Sequence, residues 1–345
     1  MHGHDGLLKA ARQLVFGVGQ VAQLNDSIAS VQTVSGSGAN SLAARFVGRH
    51  LESKNVWFPN PTWDNHFHIW KENAPSIRQR LYPYYDSSRS ALDFDGMLNT
   101  LQRDAEIGDT VILHACAHNP TGLDPSQEQW QHIAQVCRQL DLFVIFDSAY
   151  QGFASGDLDE DAWSIRHFAE RGDITLAVCQ SFSKNLGLYG ERVGVLHIMA
   201  PRPIATTALM SIVRSRMIEL QRGDVSMPPR FGAQVASCVL NNTNLYALWR
   251  KDLEIMSGRI KSMRMDLYNE LVKLKTPGSW SHIVQQTGMF SYTGLTKDQV
   301  LRLRTQYHIY MLDSGRASIC GLRSANVKYV AKAIHGVVLE EQSAK

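Results

Sequence analysis

The chain has 345 residues, 44% of them hydrophobic and 19% charged, the composition of an ordinary soluble globular protein with room for one large and one smaller domain. A net charge of +3, with no basic run interleaved with aromatics, excludes a nucleic-acid-binding surface, and no apolar run is long enough to span a membrane. The cysteines Cys116, Cys137, Cys179, Cys238 and Cys320 form no CxxC pair and read as reduced, mostly buried thiols of an intracellular protein.

The start, MHGHDGLLKAARQLVFG, lacks the basic region and continuous apolar core of a signal peptide. It reads as a helix already under way, so the chain is expected to begin in mid-domain. SVQTVSGSGAN (30–40) is a strand that breaks into a Gly/Ser loop, and SLAARFVGRHL continues as a helix. KNVWFPNPTW (54–63) is a strand stopped by prolines, and DTVILHACAHNPTG (109–122) is a buried strand running into a proline–glycine turn. QEQWQHIAQVCRQL (127–140) has helical spacing; DLFVIFDSAY (141–150), ITLAVCQSFS (174–183) and RVGVLHIM (192–199) are strands. Strands and helices taking turns predict an α/β fold with a mostly parallel central sheet flanked by helices. After Pro228–Pro229 the pattern turns helical over 230–275, followed by short strand-like pieces, MFSYTGL and HIYMLDSGRASICGL, and a closing helix, NVKYVAKAIHGVVLE. A large domain over 1–250 and a smaller α+β domain over 251–345 are expected, the boundary falling inside a long helix.

In an open α/β sheet, ligands sit at the carboxyl ends of the strands. Ser35-Gly36-Ser37 closes one strand and opens a helix, a place for an anion or simply a turn. Asn119 closes another, where a turn asparagine is the plainer reading. Asp147 and Tyr150 follow an apolar run; a carboxylate there needs a cationic partner or serves as a cap. His114 and His118 are spaced i, i+4, but on a strand they lie far apart, and no further ligand completes a zinc set, so no metal is expected. Lys184 sits between Ser183 and a glycine-rich loop that reaches Arg192. A neighbouring cation favours the neutral amine that attacks carbonyls, and Ser181, Ser183 and Arg192 suit a phosphate. With Asp147 to pair with a ring nitrogen, these are the groups that pyridoxal phosphate requires.

The stretches NPTWDNH, HACAHNPTGLDP, FDSAYQGFASGDLDEDAW, QSFSKNLGLYGERVG, GMFSYTGL and SGR resemble the aspartate aminotransferase family of the eukaryotic cytosolic and mitochondrial type, in the family's order and over the whole chain. The resemblance implies a fold-type I transferase dependent on pyridoxal 5'-phosphate. It implies a homodimer that exchanges an amino group between L-aspartate and 2-oxoglutarate. By resemblance, Lys184 is the Schiff-base lysine and proton shuttle, and Asp147 pairs with the pyridine nitrogen. Asn119 and Tyr150 bond the ring hydroxyl, and Trp63 stacks on the ring. Ser35, Gly36, Ser37, Ser181, Ser183 and Arg192 hold the phosphate, with His66 and His118 beside Asp147. Arg316 holds the substrate α-carboxylate, and Arg222 of a partner subunit holds the side-chain carboxylate; Trp63 and Asn119 also face the substrate.

Two departures from the family pattern carry expectations of their own. Family members have a longer N-terminal segment, so the chain reads as N-terminally shortened and an impaired, cofactor-binding chain is one alternative. In QRGDVSMPP (221–229), Asp224 is placed to compete for Arg222, which opens a second alternative of aromatic or neutral substrates. The wording QSFSKN and LKTPGSW resembles cytosolic members; a mitochondrial location stays open.

Overall fold

The computed structural model describes residues 2–343. Seven strands form the central sheet: β1 (Ile28–Val34), β2 (Asn55–Asn60), β3 (Arg78–Pro83), β4 (Thr110–His114), β5 (Phe143–Ser148), β6 (Leu176–Ser181) and β7 (Val193–Met199). Their spatial order is β1-β7-β6-β5-β4-β2-β3. The run from β3 to β6 is parallel, and β7 lies antiparallel to both β6 and β1. The mostly parallel sheet read from the alternation is therefore present.

Both faces of the sheet are covered, which is why its inner strands read as unbroken apolar runs. Successive residues point to opposite faces. Val111, Leu113, Val144, Phe146 and Val178 pack with Ile133 and Phe168 on one face. Ile112, Ile145, Ala177 and Leu196 pack on the other with Ala39, Ala43 and Val47. Those last three lie on helix α1 (Ser35–His50). Each large side chain buried here, such as Phe146 or Phe168, contributes about 2–3 kcal/mol by leaving water.

The N-terminal helix is not under way when the chain starts. It spans Asp5–Phe16, and His4 caps it by accepting from the Leu7 N–H with its side chain. The start is further tied to β1, since Gln32 N–H donates to the His2 carbonyl and its Oε1 accepts from His4 N–H. One of the backbone amides that open this helix, that of Leu7, thus has a side-chain partner inside the chain.

Beyond the sheet, helix α2 (Thr243–Lys273) contains residue 250 and packs along α3 (Val327–Ser343). Its Leu253, Ile260, Leu267 and Leu271 share a core with Ile334 and Val337. The strand-like pieces reduce to a short antiparallel pair, β8 (Phe290–Tyr292) and β9 (Arg316–Ser318), which sets Tyr292 opposite Arg316. The stretch before Arg316 is not a strand.

Candidate active site

The parallel strands and β1 all end at one edge of the sheet, and β7, running the other way, starts there: Val34 faces Val193, and Ser181 faces Gly194. A cavity of about 310 Å³ opens at this edge. Ser35, Gly36, Ser37, Trp63, Asn119, Asp147, Tyr150, Ser181, Ser183, Lys184, Arg192 and Arg316 all line it. Every residue singled out from the sequence is there except Arg222, His66 and His118.

One end of the cavity is formed by the start of helix α1. Helix α1 begins at Ser35 with no side-chain cap, so its first amides lack helical partners at the wall of the cavity. Ser35 (φ +62°) and Arg192 (φ +55°) both adopt left-handed backbone, and Ser35 N–H donates to the Arg192 carbonyl at 3.0 Å. This contact pins the start of α1 to the start of β7. Gly194 is required by it: a Cβ there would lie 2.4 Å from the Ser35 carbonyl carbon and 2.9 Å from the Gln180 oxygen. Both obstacles are backbone. Gly194→Ala is expected to destabilise the chain by about 3 kcal/mol, measured by denaturant unfolding; a midpoint equal to that of the original chain would show that the contact is looser than described.

The middle of the cavity holds Asp147, only 8% exposed. Burial alone would raise its pKa, but the hydrogen bond from His66 and the nearby ammonium of Lys184 outweigh burial and lower it. An ionised carboxylate only accepts, so His66 donates from Nε2 to Oδ2 at 3.1 Å. That leaves His66 Nδ1 to accept from Thr62 Oγ1 at 2.9 Å, and Thr62 to accept from His114 Nε2 at 3.3 Å. His114 Nδ1 then accepts from Asn119 N–H at 3.2 Å. Burial, then His66, holds the His114 pKa down at about 3, so its ring is the neutral link this chain of donors requires. Oδ1 of Asp147 accepts no hydrogen bond among the described residues.

Two placements correct the reading of the histidines. His118 does not bond Asp147; its Nδ1 pairs with Thr121 Oγ1 at 2.9 Å. Its ring lies 4.3 Å from that of His114, centroid to centroid, because β4 ends at His114 and the chain folds back. The two rings are thus close, not far apart, yet among the described residues no group of ligands could hold a metal.

Lys184 is buried enough that desolvation lowers its pKa first; Asp147 opposes this and Arg192 adds to it. The neighbouring cation inferred from the sequence is thus the lesser cause. Lys184 Nζ sits 5.0 Å from the centroid of the Tyr150 ring and 5.9 Å from that of Tyr189. Burial, then Asp147, raises the Tyr150 pKa, so its hydroxyl stays protonated.

At the far end, Arg316 donates from Nη1 to Asn119 Oδ1 at 2.8 Å and lies 4.4 Å from the Phe290 ring centroid. Arg222 points elsewhere: it donates to Ser226 Oγ at 2.8 Å on the surface of its own chain. Asp224 does not compete for it, because Asp224 pairs with Arg45.

Three groups escaped the sequence reading, and His114 was weighed there only as a metal ligand. His114 and Tyr189 line the cavity; a polar residue at a strand end was a usable signal for the first. Asn40 reaches Asp147 from inside α1. Arg264, 2% exposed, donates to the carbonyls of Ile283, Gly288 and Phe290 and so fixes the loop that brings Met289 and Phe290 to the cavity. Its place in the buried stripe Ser257, Ile260, Arg264, Leu267, Leu271 was a legible signal.

Comparison with known proteins agrees with this geometry. The family model described as aminotransferase class I and II matches residues 1–334. An L-tyrosine:2-oxoglutarate aminotransferase of Aspergillus ustus is 47% identical over 96% of this chain and 64% of its own length. The cytoplasmic aspartate aminotransferase of Saccharomyces cerevisiae is 43% identical over 97% of this chain and 80% of its own. The solved structure of the Saccharomyces cerevisiae cytoplasmic aspartate aminotransferase superposes with a TM-score of 0.94 at 42% identity, covering 98% of this chain and 82% of that one. The chain belongs to the class I and II aminotransferase family.

Proposed function

We propose that the chain is an aspartate aminotransferase that uses pyridoxal 5'-phosphate to move an amino group reversibly from L-aspartate to 2-oxoglutarate. The observation that carries this reading is the gathering of Lys184, Asp147, the Ser35–Ser37 helix start with Arg192, and Arg316 around one cavity.

These residues fit the cofactor. The start of α1, with Ser181, Ser183 and Arg192, matches a dianionic phosphate. Asp147 would offer Oδ1 to a ring nitrogen, Asn119 and Tyr150 would hold a ring hydroxyl, and Trp63 would cover the ring face. When bound, pyridoxal phosphate supplies the aldehyde carbon and the electron sink. Lys184 would hold that carbon and, once displaced by the incoming amine, would move the proton between the substrate Cα and that carbon. Burial shifts its pKa toward the neutral amine that acts as a base. Asp147 stays charged beside the ring, and Arg316 orients the substrate through its α-carboxylate with a planar fork. Arg222 reaches a substrate only from a neighbouring copy, so the reading includes a homodimer. The part up to residue 250 forms the cofactor-binding domain and 251–345 the small domain. The name of the yeast relative supports a cytoplasmic location. Among the described residues no helix is long and apolar enough to cross a membrane.

A second reading has its own support: the Aspergillus ustus relative acts on tyrosine by name, so aromatic substrates compete with aspartate. The deciding experiment adds pyridoxal phosphate to the purified chain and follows the visible band on addition of L-aspartate, then of 2-oxoglutarate. A band that shifts and returns supports the proposal; a band that ignores aspartate but responds to tyrosine selects the second reading. No band at all removes both. Arg316→Lys is expected to lower kcat/KM for every amino acid on the order of 100-fold, because an ammonium cannot replace the two-pronged contact and Asn119 loses its donor. Steady-state kinetics with aspartate and tyrosine check this, and an unchanged value would remove Arg316 from the site.

A further inference from the structure

We infer that Asn40 is a positioning residue that ties Asp147 to the anion-facing start of α1 and so fixes which carboxylate oxygen faces the cavity. This rests on the reading that the cavity holds pyridoxal phosphate. Asn40 is 2% exposed and sits in the second turn of α1. Its Nδ2 donates to the Gly36 carbonyl at 3.0 Å and reaches Asp147 Oδ2 at 3.4 Å. One amide group therefore touches both the start of α1 and a carboxylate 107 residues further along the chain.

Stability does not explain this residue. Asparagine is a poorer helix former than leucine or alanine, and the Asn40 Oδ1 is buried with no partner among the described residues. An apolar residue would suit the fold better. What Asn40 adds is a second tether. The groups facing Asp147 are His66, His114, Lys184, Tyr150, Cys116 and Cys179. Of these only His66 bonds it, from the β2 side of the sheet. Asn40 reaches the same oxygen from α1. Two donors from two elements fix the carboxylate against rotation and leave Oδ1 toward the cavity.

The test uses the full chain with Asn40→Leu and Asn40→Ala, first without cofactor. The His66 Nε2 proton is followed by NMR at neutral pH. With one donor removed, Oδ2 accepts more strongly from His66, so this proton is expected to move downfield in both variants. The thermal midpoint is expected to stay equal or rise. In the loaded chain, the pH midpoint of the visible band is expected to rise by about half a unit, since a less well held carboxylate supports less positive charge on the ring. A His66 proton that stays in place in both variants overturns the proposal, as does a lower thermal midpoint with that proton unmoved. If the original chain forms no visible band, the cofactor reading falls, and the His66 proton alone decides the role of Asn40.

Discussion

Lys184→Ala is expected to abolish transamination, lowering kcat on the order of 10⁴-fold or more. Among the residues that line the cavity there is no other lysine amine; the remaining basic side chains are the guanidiniums of Arg192 and Arg316. Lys184 is also where two demands meet. It must be neutral to act as nucleophile and base, and burial shifts its pKa in that direction. It must also sit between the anion end and Asp147, and it follows β6 at the sheet edge where both converge. The fold should tolerate the change, since the side chain makes no hydrogen bond that holds another element. The anion end, built from α1, Ser181, Ser183 and Arg192, stays intact, so the variant should still take up cofactor. Single-turnover absorbance with L-aspartate measures the effect. Retained turnover would mean that the mechanism runs through another group.

Asp147→Asn is expected to cost about 10³-fold in kcat while leaving the unfolding midpoint nearly unchanged. The substitution keeps the shape and an oxygen that can accept from His66 and Asn40, but it removes the charge. A ring nitrogen stays protonated only beside a fixed anion, and a buried anion acts more strongly than one in water. His66 and Asn40 both favour the charged form of Asp147, so the chain has invested two buried donors in keeping it ionised. Kinetics and thermal unfolding on the same preparation separate charge from shape. A small kinetic effect with a large loss of stability would make Asp147 a structural cap, which was the plainer alternative in the sequence.

The sequence by itself determined the layering of this protein and most of its site. Apolar runs of strand length alternating with helical spacing can bury both faces only as a helix-covered sheet, so LFVIF and ITLAV placed themselves. Because ligands bind at strand ends, Ser35, Asp147 and Ser181 stood out as candidates from their positions, whereas Asn119 read as a turn residue until the resemblance gave it a role. The start of the first helix was misread because His4 is an uncommon cap, and its partnership with Leu7 N–H is a matter of side-chain conformation, not of composition.

Only the tertiary structure decided what each polar group touches. His114 and His118 are brought together by a chain reversal that a strand period cannot show. Asp224 found Arg45, 179 residues away, instead of its near neighbour Arg222. Asn40 looked like one more polar residue on a helix, and nothing local distinguishes it from a solvated one. Its meaning comes from packing α1 against the sheet, which sets a buried amide beside a carboxylate from a strand three places along. Periodicity records which face of an element is buried, a local property; hydrogen-bond partners depend on distances between elements, which only the packed fold fixes.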